Sequence, residues 1–295
     1  IHLRNVKITI NTQNSCFSGA LAGMTSGSVI SFCTAQGEIS VASAGQIYAG
    51  GITGWSTPYL MKAVISHCRT DVKVTGDAGT TSSVGGIVGR SDEQTTIFAC
   101  EASGSLVSAK GSGKVDAGGI IGYLDSYYQL ISRVIYCAAN TEEIKGTNDM
   151  PGLVNYTGGL VGTNAGNVIS SYARVTTMEV QGLSIIGAII GYGSNQTSND
   201  YFCIGTCPKG QGYSDLYPIQ DNLVYDEYAT DKNIYDLVTR YTVPETISTT
   251  TYDPTHYPAY GIEVTDQTFR STDVWDYNPT SGKIRIKRLP PITPP

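Results

Sequence analysis

The stretch Gly85-Gly86-Ile87-Val88-Gly89 decides the fold, because five variants of it recur along the chain. The other copies are Gly19-Ala20-Leu21-Ala22-Gly23, Gly50-Gly51-Ile52-Thr53-Gly54, Gly118-Gly119-Ile120-Ile121-Gly122, Gly158-Gly159-Leu160-Val161-Gly162 and Gly187-Ala188-Ile189-Ile190-Gly191. Their first glycines are separated by 31, 35, 33, 40 and 29 residues. A period of this size, with copies of unequal length, is typical of a solenoid in which each repeat covers its neighbour.

Two further segments recur between these glycine patches. In the second segment, a cysteine or tyrosine lies 14 to 19 positions after the first glycine of each patch. These residues are Cys33, Cys68, Cys100, Cys137, Tyr172 and Cys203. The second segment begins with branched apolar residues such as Val64-Ile65, and a third segment alternates in character, as in Asp71-Val72-Lys73-Val74. Period-two alternation with β-branched residues predicts strands. Three short strands in each repeat indicate one coil of a parallel β-helix.

The repeat therefore predicts an all-β chain, a right-handed parallel β-helix (solenoid) of about six coils over residues 1–205. Consecutive coils of such a helix stack ~4.8 Å apart, so equivalent residues lie above one another. We expect an Ile/Leu column from the glycine patches and a Cys/Tyr column from the second segment. The glycines are expected at corners, where the backbone turns or approaches another coil closely.

The C-terminal third of the chain has a different character. The repeat fades near residue 205, and twelve of the 20 tyrosines lie between Tyr192 and Tyr277. A short helix is predicted at 233–240, and the alternation of isoleucine with cations at 283–287 is typical of an exposed sheet edge. Because a solenoid leaves its last coil open, we expect residues 206–295 to form a tyrosine-rich C-terminal cap with loops.

Composition excludes several classes of protein. The chain has 34 glycines, 15% charged residues and a formal net charge of −6. A negative chain without clustered Lys and Arg does not suit nucleic acid. No apolar run approaches the ~20 residues of a transmembrane helix, so no membrane span is expected in this fragment. The chain begins at Ile1 within an alternating stretch, and we therefore expect a piece of a longer, processed protein.

The seven cysteines predict packing and no cofactor. Those of the second segment are interpreted as small buried hydrophobes, because in-register parallel neighbours do not offer the torsion that a disulfide needs. Cys203 and Cys207 have the spacing of one local disulfide, which would leave Cys16 without an obvious partner. No metal site is expected, since the cysteine spacings are uneven and His67 is the only histidine beside one of these cysteines.

One copy of the repeat resembles a known motif. The stretch Gly158-Gly159-Leu160-Val161-Gly162-Thr163-Asn164-Ala165-Gly166-Asn167-Val168-Ile169-Ser170-Ser171-Tyr172-Ala173 is similar to the GLUG motif, and the segment from Phe269 through Trp275 to Lys283 resembles the ending of many GLUG-repeat proteins. The other five copies are looser and carry Cys where the motif usually has Tyr. These proteins include secreted and cell-surface bacterial proteins, such as filamentous-haemagglutinin-like adhesins and IgA-specific metallopeptidases whose repeats lie outside the catalytic domain. The resemblance implies an extracellular bacterial location and an adhesive or scaffold role, without a catalytic residue.

A search for catalytic residues favours a protein that is not an enzyme. None of His2, His67 and His256 belongs to a His-Glu-x-x-His motif. The alternative is a polysaccharide-binding or polysaccharide-processing β-helix, because Asp92 and Asp125 each follow a first glycine by seven residues and would share a corner of adjacent coils. Two carboxyl groups ~5 to 10 Å apart suit glycoside hydrolysis. Further candidate carboxylates are Asp71, Asp77 and Glu93, although exposed carboxylates at turns are commonly only solvated.

Aromatic residues provide the best indication of binding. Trp55 directly follows a glycine patch, and Arg90, Tyr123, Thr163 and Tyr192 occupy the same place in other repeats. If these side chains point outward, they form an external strip that stacks on sugar rings or anchors protein contacts. The alternative is that they cover a corner under a loop. The predicted ligand-binding residues are Trp55, Tyr123, Tyr127, Tyr128 and Tyr192, and the expected partner is a host or bacterial surface protein or glycan.

Overall fold

A computed structural model describes residues 1–58, 62–127, 130–193, 201–204, 211–214, 223–225, 230–240, 242–252 and 262–289. Within these ranges β-strands are the dominant structure, and the two helices are short. Neither helix has the length and apolar character needed to cross a bilayer.

The strands of the solenoid follow one another in short steps. In chain order they are β1 (His2–Thr12), β2 (Cys16–Gly19), β3 (Ala22–Ser26), β4 (Val29–Ser31), β5 (Thr34–Ser43), β6 (Ile47–Gly50), β7 (Thr53–Thr57), β8 (Ala63–Ser66), β9 (Arg69–Ala78), β10 (Ser82–Gly85), β11 (Val88–Ser91), β12 (Thr95–Phe98), β13 (Glu101–Ala102), β14 (Leu106–Gly111), β15 (Val115–Gly118), β16 (Ile121–Leu124), β17 (Arg133–Ile135), β18 (Ala138–Ala139), β19 (Glu143–Asn148), β20 (Val154–Gly158), β21 (Val161–Asn164), β22 (Asn167–Ile169), β23 (Tyr172–Arg174), β24 (Thr177–Gln181), β25 (Leu183–Gly187), β26 (Ile190–Gly193), β27 (Tyr201–Ile204), β28 (Gln211–Ser214) and β29 (Leu223–Tyr225). The C-terminal elements are α1 (Asp231–Val238), β30 (Glu245–Tyr252), β31 (Ile262–Phe269), α2 (Ser271–Val274), β32 (Trp275–Asn278) and β33 (Lys283–Ile286).

Parallel pairing between coils builds four sheets. Sheet B has the order β2-β6-β10-β15-β20-β25, sheet C has β28-β26-β21-β16-β11-β7-β3, and sheet D has β22-β17-β12-β8-β4. Sheet A contains the longer strands, including β1, β5, β9, β14, β19 and β24. The predicted parallel solenoid is confirmed, with about five coils where six were expected. Sheet B contains six strands, sheet C seven and sheet D five.

The glycine patches lie in register where sheet B meets sheet C. Gly19, Gly50, Gly85, Gly118, Gly158 and Gly187 are partners from coil to coil. The second glycine of a patch sits directly on the next coil, since a Cβ on Gly119 would lie 2.2 Å from the carbonyl oxygen of Gly159. Only a residue without a side chain permits so close an approach.

The expected Ile/Leu column forms the centre of the core. Its members are Ile52, Ile87, Ile120, Leu160 and Ile189, each no more than 1% exposed. Cys33, Cys68, Cys100 and Cys137 are also buried in the core and are free thiols, as the packing interpretation predicted. Each Sγ contacts the carbonyl oxygen two residues earlier, at 3.3 Å for Cys68, Cys100 and Cys137 and at 3.4 Å for Cys33.

The prediction that Tyr172 and Cys203 belong to the cysteine column was wrong, by one residue for Tyr172 and by two residues for Cys203. Tyr172 pairs with Ala138, so Ser171 is the residue level with Cys137, and its hydroxyl accepts a hydrogen bond from the Cys137 N–H at 2.9 Å. Cys203 pairs with Ala173. The reason is the corner before the cysteine, where the preceding residue takes a left-handed conformation. The φ values there are 56° for Phe32, 51° for His67, 50° for Ala99, 54° for Tyr136 and 43° for Ser170.

The described C-terminal elements pack along a flank of the solenoid. Helix α1, which begins two residues before the predicted helix, and the two hairpins contribute Ile234, Leu237, Phe269, Trp275 and Ile284 to a second apolar cluster. The solenoid contributes residues from four coils, among them Val64, Phe98, Ile135, Ile169 and Tyr172. The indole Nε1 of Trp275, which is fully buried, donates to the carbonyl oxygen of Ser170 at 3.1 Å.

The structure bears on two sequence predictions about the C-terminal region. The isoleucines of the alternating segment 283–287 are buried against the cluster, with Ile284 7% and Ile286 4% exposed. Lys283 and Arg285 alternate with them and are exposed, and among the described strands β33 pairs with β32 alone, as expected of a sheet edge. Parallel pairing also continues beyond residue 205, because β28 pairs with β26 and β29 pairs with β27.

Candidate functional site

The outer faces of sheets B and C converge at the corner formed by the glycine patches. The turn is so tight that a Cβ on Gly54 would lie 2.5 Å from the carbonyl oxygen of Tyr48. As a result Trp55, just after a patch, contacts two residues that precede the patches. Its ring centroid is 4.9 Å from that of Phe17 and 5.6 Å from that of Tyr48. The corner therefore gathers side chains from two sheets along one line.

Two columns of residues form this line, and together they are called the corner strip. The column on sheet C consists of Met24, Trp55, Arg90, Tyr123, Thr163 and Tyr192. The column on sheet B consists of Phe17, Tyr48, Ser83, Asp116, Tyr156 and Ile185. The predicted register of Trp55, Tyr123 and Tyr192 is thus confirmed, and all three are partly exposed.

Rings of the corner strip contact one another at both of its ends. Phe17 and Tyr48 stack with centroids 5.1 Å apart, and Tyr156 lies 5.0 Å from Tyr192. Aromatic pairs at such distances contribute about 0.5–1.5 kcal/mol beyond the area that they bury. These contacts fix the rings in place. Phe17, Tyr156 and Tyr192 remain partly exposed, whereas Tyr48 is buried.

Cations fill the middle of the corner strip. The guanidinium of Arg90 lies 4.7 Å from the Tyr123 ring centroid and 5.4 Å from that of Tyr48. Lys114 Nζ lies 3.8 Å from the Tyr123 centroid. Both are within the range of a cation–π interaction. Burial raises the pKa of Tyr123 to about 12, so it is a neutral phenol at physiological pH.

The two carboxylates considered for catalysis converge on Arg90. Its Nε lies 3.2 Å from Asp92 Oδ1, and its Nη2 lies 3.0 Å from Asp125 Oδ2. The expectation that Asp92 and Asp125 occupy neighbouring corners is supported by backbone bonds from each N–H to the coil before, Asp92 to Ser56 and Asp125 to Ser91. One guanidinium bridges the two groups, which is the arrangement of a structural ionic cluster. Of the other candidates, Asp71 and Asp77 belong to β9 of sheet A, and Glu93 follows Asp92 in the turn after β11.

Sequence reasoning missed a buried carboxylate in the corner strip. Asp116 is 1% exposed and accepts hydrogen bonds from Ser83 Oγ at 2.9 Å and Thr163 Oγ1 at 2.5 Å. Lys114 Nζ lies 3.5 Å from its Oδ1. Burial raises the pKa of Asp116, against the opposing effects of Lys114 and the two hydroxyls. The sequence does contain a signal for Asp116, namely its distance from the glycine patch. Every sheet B residue of the corner strip lies two positions before the first glycine of a patch.

The remaining predicted site residues are not part of the strip's register. Tyr127 lies in the loop after β16, where it is 59% exposed and its backbone bridges to Leu130. Tyr128 lies outside the described residues, as does His256. His2 Nδ1 is 2.9 Å from Thr34 Oγ1. His67 does point away from the cysteine core, as strand alternation predicted, but C-terminal residues cover it and leave it 4% exposed.

The described residues contain no group of three or more His, Cys, Asp or Glu side chains placed to hold a metal ion.

Comparisons with known proteins add little to this picture. No family model and no curated protein matches the chain. A solved structure described as a "putative immunoglobulin A1 protease" from Bacteroides ovatus is similar at 14% identity, with 94% of this chain and 75% of that chain covered and a TM-score of 0.40. A likeness of this strength transfers no activity to the present chain.

Proposed function

We propose that the chain is a non-catalytic, extracellular binding module of a bacterial surface protein, acting as an adhesin or scaffold. The observation that carries the proposal is the corner strip, in which successive coils present rings and cations in register. A stacked sheet holds these side chains ~4.8 Å apart. Because the strip is ordered before a partner arrives, little conformational entropy is lost on binding. The GLUG-like repeat supports the surface location.

The chemistry of the strip favours a partner with flat apolar faces and hydrogen-bonding groups. Trp55 and Tyr123 offer partly exposed rings, which stack on sugars or on apolar protein side chains. Trp55 Nε1 is buried and has no hydrogen-bond partner among the described residues. Because this nitrogen is buried, a ligand would contact the exposed part of the Trp55 ring and not the N–H. A surface glycan or protein of host or bacterial origin fits this description.

A binding experiment tests the proposal. Wild type, Trp55→Ala and Tyr123→Ala are applied to a glycan array and to host and bacterial cell surfaces. Removing a central aromatic anchor typically costs about 2 kcal/mol or more, which corresponds to about 30-fold in affinity. Met150→Ala is the matched control, because Met150 is 50% exposed in the loop after β19 and lies outside the strip. Equal binding by the strip variants and wild type would refute the assignment of the strip.

The convergence of Asp92 and Asp125 on the strip favours one second candidate, a polysaccharide-processing β-helix. Such an enzyme would release reducing ends or unsaturated sugars from acidic polysaccharides. The activity should disappear in Asp92→Asn and in Asp125→Asn. Its appearance in wild type and loss in both variants would replace the non-catalytic proposal.

A further inference from the structure

A second candidate site lies between the solenoid flank and the C-terminal hairpins. It is a cavity of about 420 Å³. The lining residues include His67, Gln267, Phe269, Asp273, Lys287 and Arg288. Its volume falls within the range of about 300–1,000 Å³ that is usual for small-molecule sites. Because none of these residues belongs to the corner strip, the two sites can be tested separately.

One wall of the cavity is a buried histidine with an unused nitrogen. His67 is 4% exposed, and its Nδ1 has no hydrogen-bond partner among the described residues. The ring is held by stacking on Phe32 at 4.8 Å and by an edge contact with Phe98 at 5.4 Å. Buried polar atoms in folded proteins are nearly always paired, so an orphan beside a cavity indicates a missing hydrogen-bonding group.

Two cations on adjacent residues, Lys287 and Arg288, also line the cavity. Lys287 Nζ donates to the carbonyl oxygen of Thr272 at 2.7 Å, and no described carboxylate forms an ion pair with it or with Arg288. By contrast Arg285, on the same hairpin, is paired with Asp276 at 2.6 Å. Arg288 also has φ of 62°, a conformation that costs energy in a residue with a side chain. Strained backbone of this kind is concentrated at ligand sites.

The two cations favour an anionic ligand, and the other groups that line the cavity limit which kind of anion fits. Asp273 is an acceptor in the same cavity, with its Oδ2 already bonded to the N–H of Arg270 at 2.8 Å. A simple anion such as phosphate would be repelled by this carboxylate, whereas a ligand with hydroxyl groups would donate to it. Gln267 adds an amide, and Phe269 adds an aromatic wall that suits the apolar face of a sugar ring.

We propose that this cavity binds a carboxylated monosaccharide, such as a uronic acid residue at the end of an acidic glycan. Lys287 and Arg288 would hold the carboxylate, Asp273 and Gln267 the hydroxyls, and the free nitrogen of His67 one further polar group. Charge-assisted hydrogen bonds from two cations supply the selectivity for the acid over its neutral counterpart.

The test compares sodium glucuronate with glucose, by calorimetry and by NMR of the His67 imidazole. Glucuronate should bind and shift the His67 resonances, and glucose should do neither. Arg288→Gln and, as a second variant, Lys287→Gln should each weaken binding by at least about tenfold, since a hydrogen bond to a charged group is lost. Lys283→Gln is the matched control, because Lys283 is an exposed cation of the same hairpin that does not line the cavity.

Three results would overturn the inference. They are no binding of glucuronate to wild type, equal binding of glucose, and equal loss in Lys283→Gln and in the two cavity variants. Thermal unfolding of each variant at the wild-type temperature establishes that an observed loss reflects the site. Variants of the corner strip should bind glucuronate as wild type does, so failure of one site leaves the other testable.

Discussion

Acidification is expected to destabilise the protein through His67, the histidine buried between the solenoid and its C-terminal flank. Burial, assisted by the charge of Arg288, lowers the pKa of His67 to about 4 from the ordinary 6.5. The unfolded chain therefore binds a proton below about pH 6.5, whereas the native chain does so only below about pH 4. Because the unfolded state holds more protons in this window, the free energy of unfolding falls as the pH is lowered through it.

The size of the effect follows from the shift. A difference of about 2.5 in pKa corresponds to about 3 kcal/mol of unfolding free energy, fully lost at about pH 4 and fully present above about pH 6.5. The imidazole is 4% exposed, so solvent screens this energy little. About 3 kcal/mol is a large part of the stability of a typical domain.

Urea unfolding of wild type and His67→Phe at about pH 7 and about pH 4 measures this contribution. Phenylalanine suits the position, because Phe32 occupies the same corner of the preceding coil with φ of 56°. Carboxylates titrate in both proteins, and their effect cancels in the comparison. Wild type should lose about 3 kcal/mol more than the variant on acidification. Equal losses, or an NMR titration of His67 near pH 6.5, would refute the reasoning.

Two further predictions concern the solenoid itself. Gly119→Ala should lower the unfolding free energy by about 2–4 kcal/mol, because the new Cβ would lie 2.2 Å from the Gly159 carbonyl oxygen and would disturb the bond from Ile120 N–H to Leu160 O. Urea unfolding measures this loss, and a loss no larger than that of Ala188→Gly would contradict the close approach. Cys68 and Cys100 should resist iodoacetamide in the native protein and react only in denaturant. A hydrogen bond with Cys100 and burial raise the pKa of Cys68, and burial and a hydrogen bond with Cys137 raise the pKa of Cys100. Peptide mass spectrometry measures the labelling, and modification of either thiol under native conditions would argue against the buried column.

Much of the corner strip was accessible to sequence analysis, but only one of its two columns was recognised. Trp55, Tyr123 and Tyr192 share a fixed distance from the glycine patches, and parallel strands in register convert equal offsets into neighbouring positions. Tyr48 and Asp116 share another fixed distance. The sequence did not indicate that the two columns meet, since this depends on the angle between sheets B and C at the corner.

The cysteine column shows that aligning the repeats by residue type does not fix the strand register. Four cysteines follow a left-handed corner residue, and the pattern continues to Ser171, although Tyr172 appeared to be the better match in the aligned repeats. A shift of one residue moves a strand side chain to the other face. Tyr172 therefore packs outside, where its ring lies 5.4 Å from that of Trp275.

The sequence by itself determined that this chain winds into a parallel solenoid, because repeated glycines, branched residues and thiols specify the same local turns and the same stacked core in every coil. Only the tertiary structure decided where the C-terminal region lies, and with it the burial of His67 and the cavity beside Arg288. That packing joins residues such as Ser170 and Trp275, which are 105 positions apart. The sequence repeat does not relate such partners to each other. Their contact depends on the shapes of surfaces that exist only after the coils have stacked.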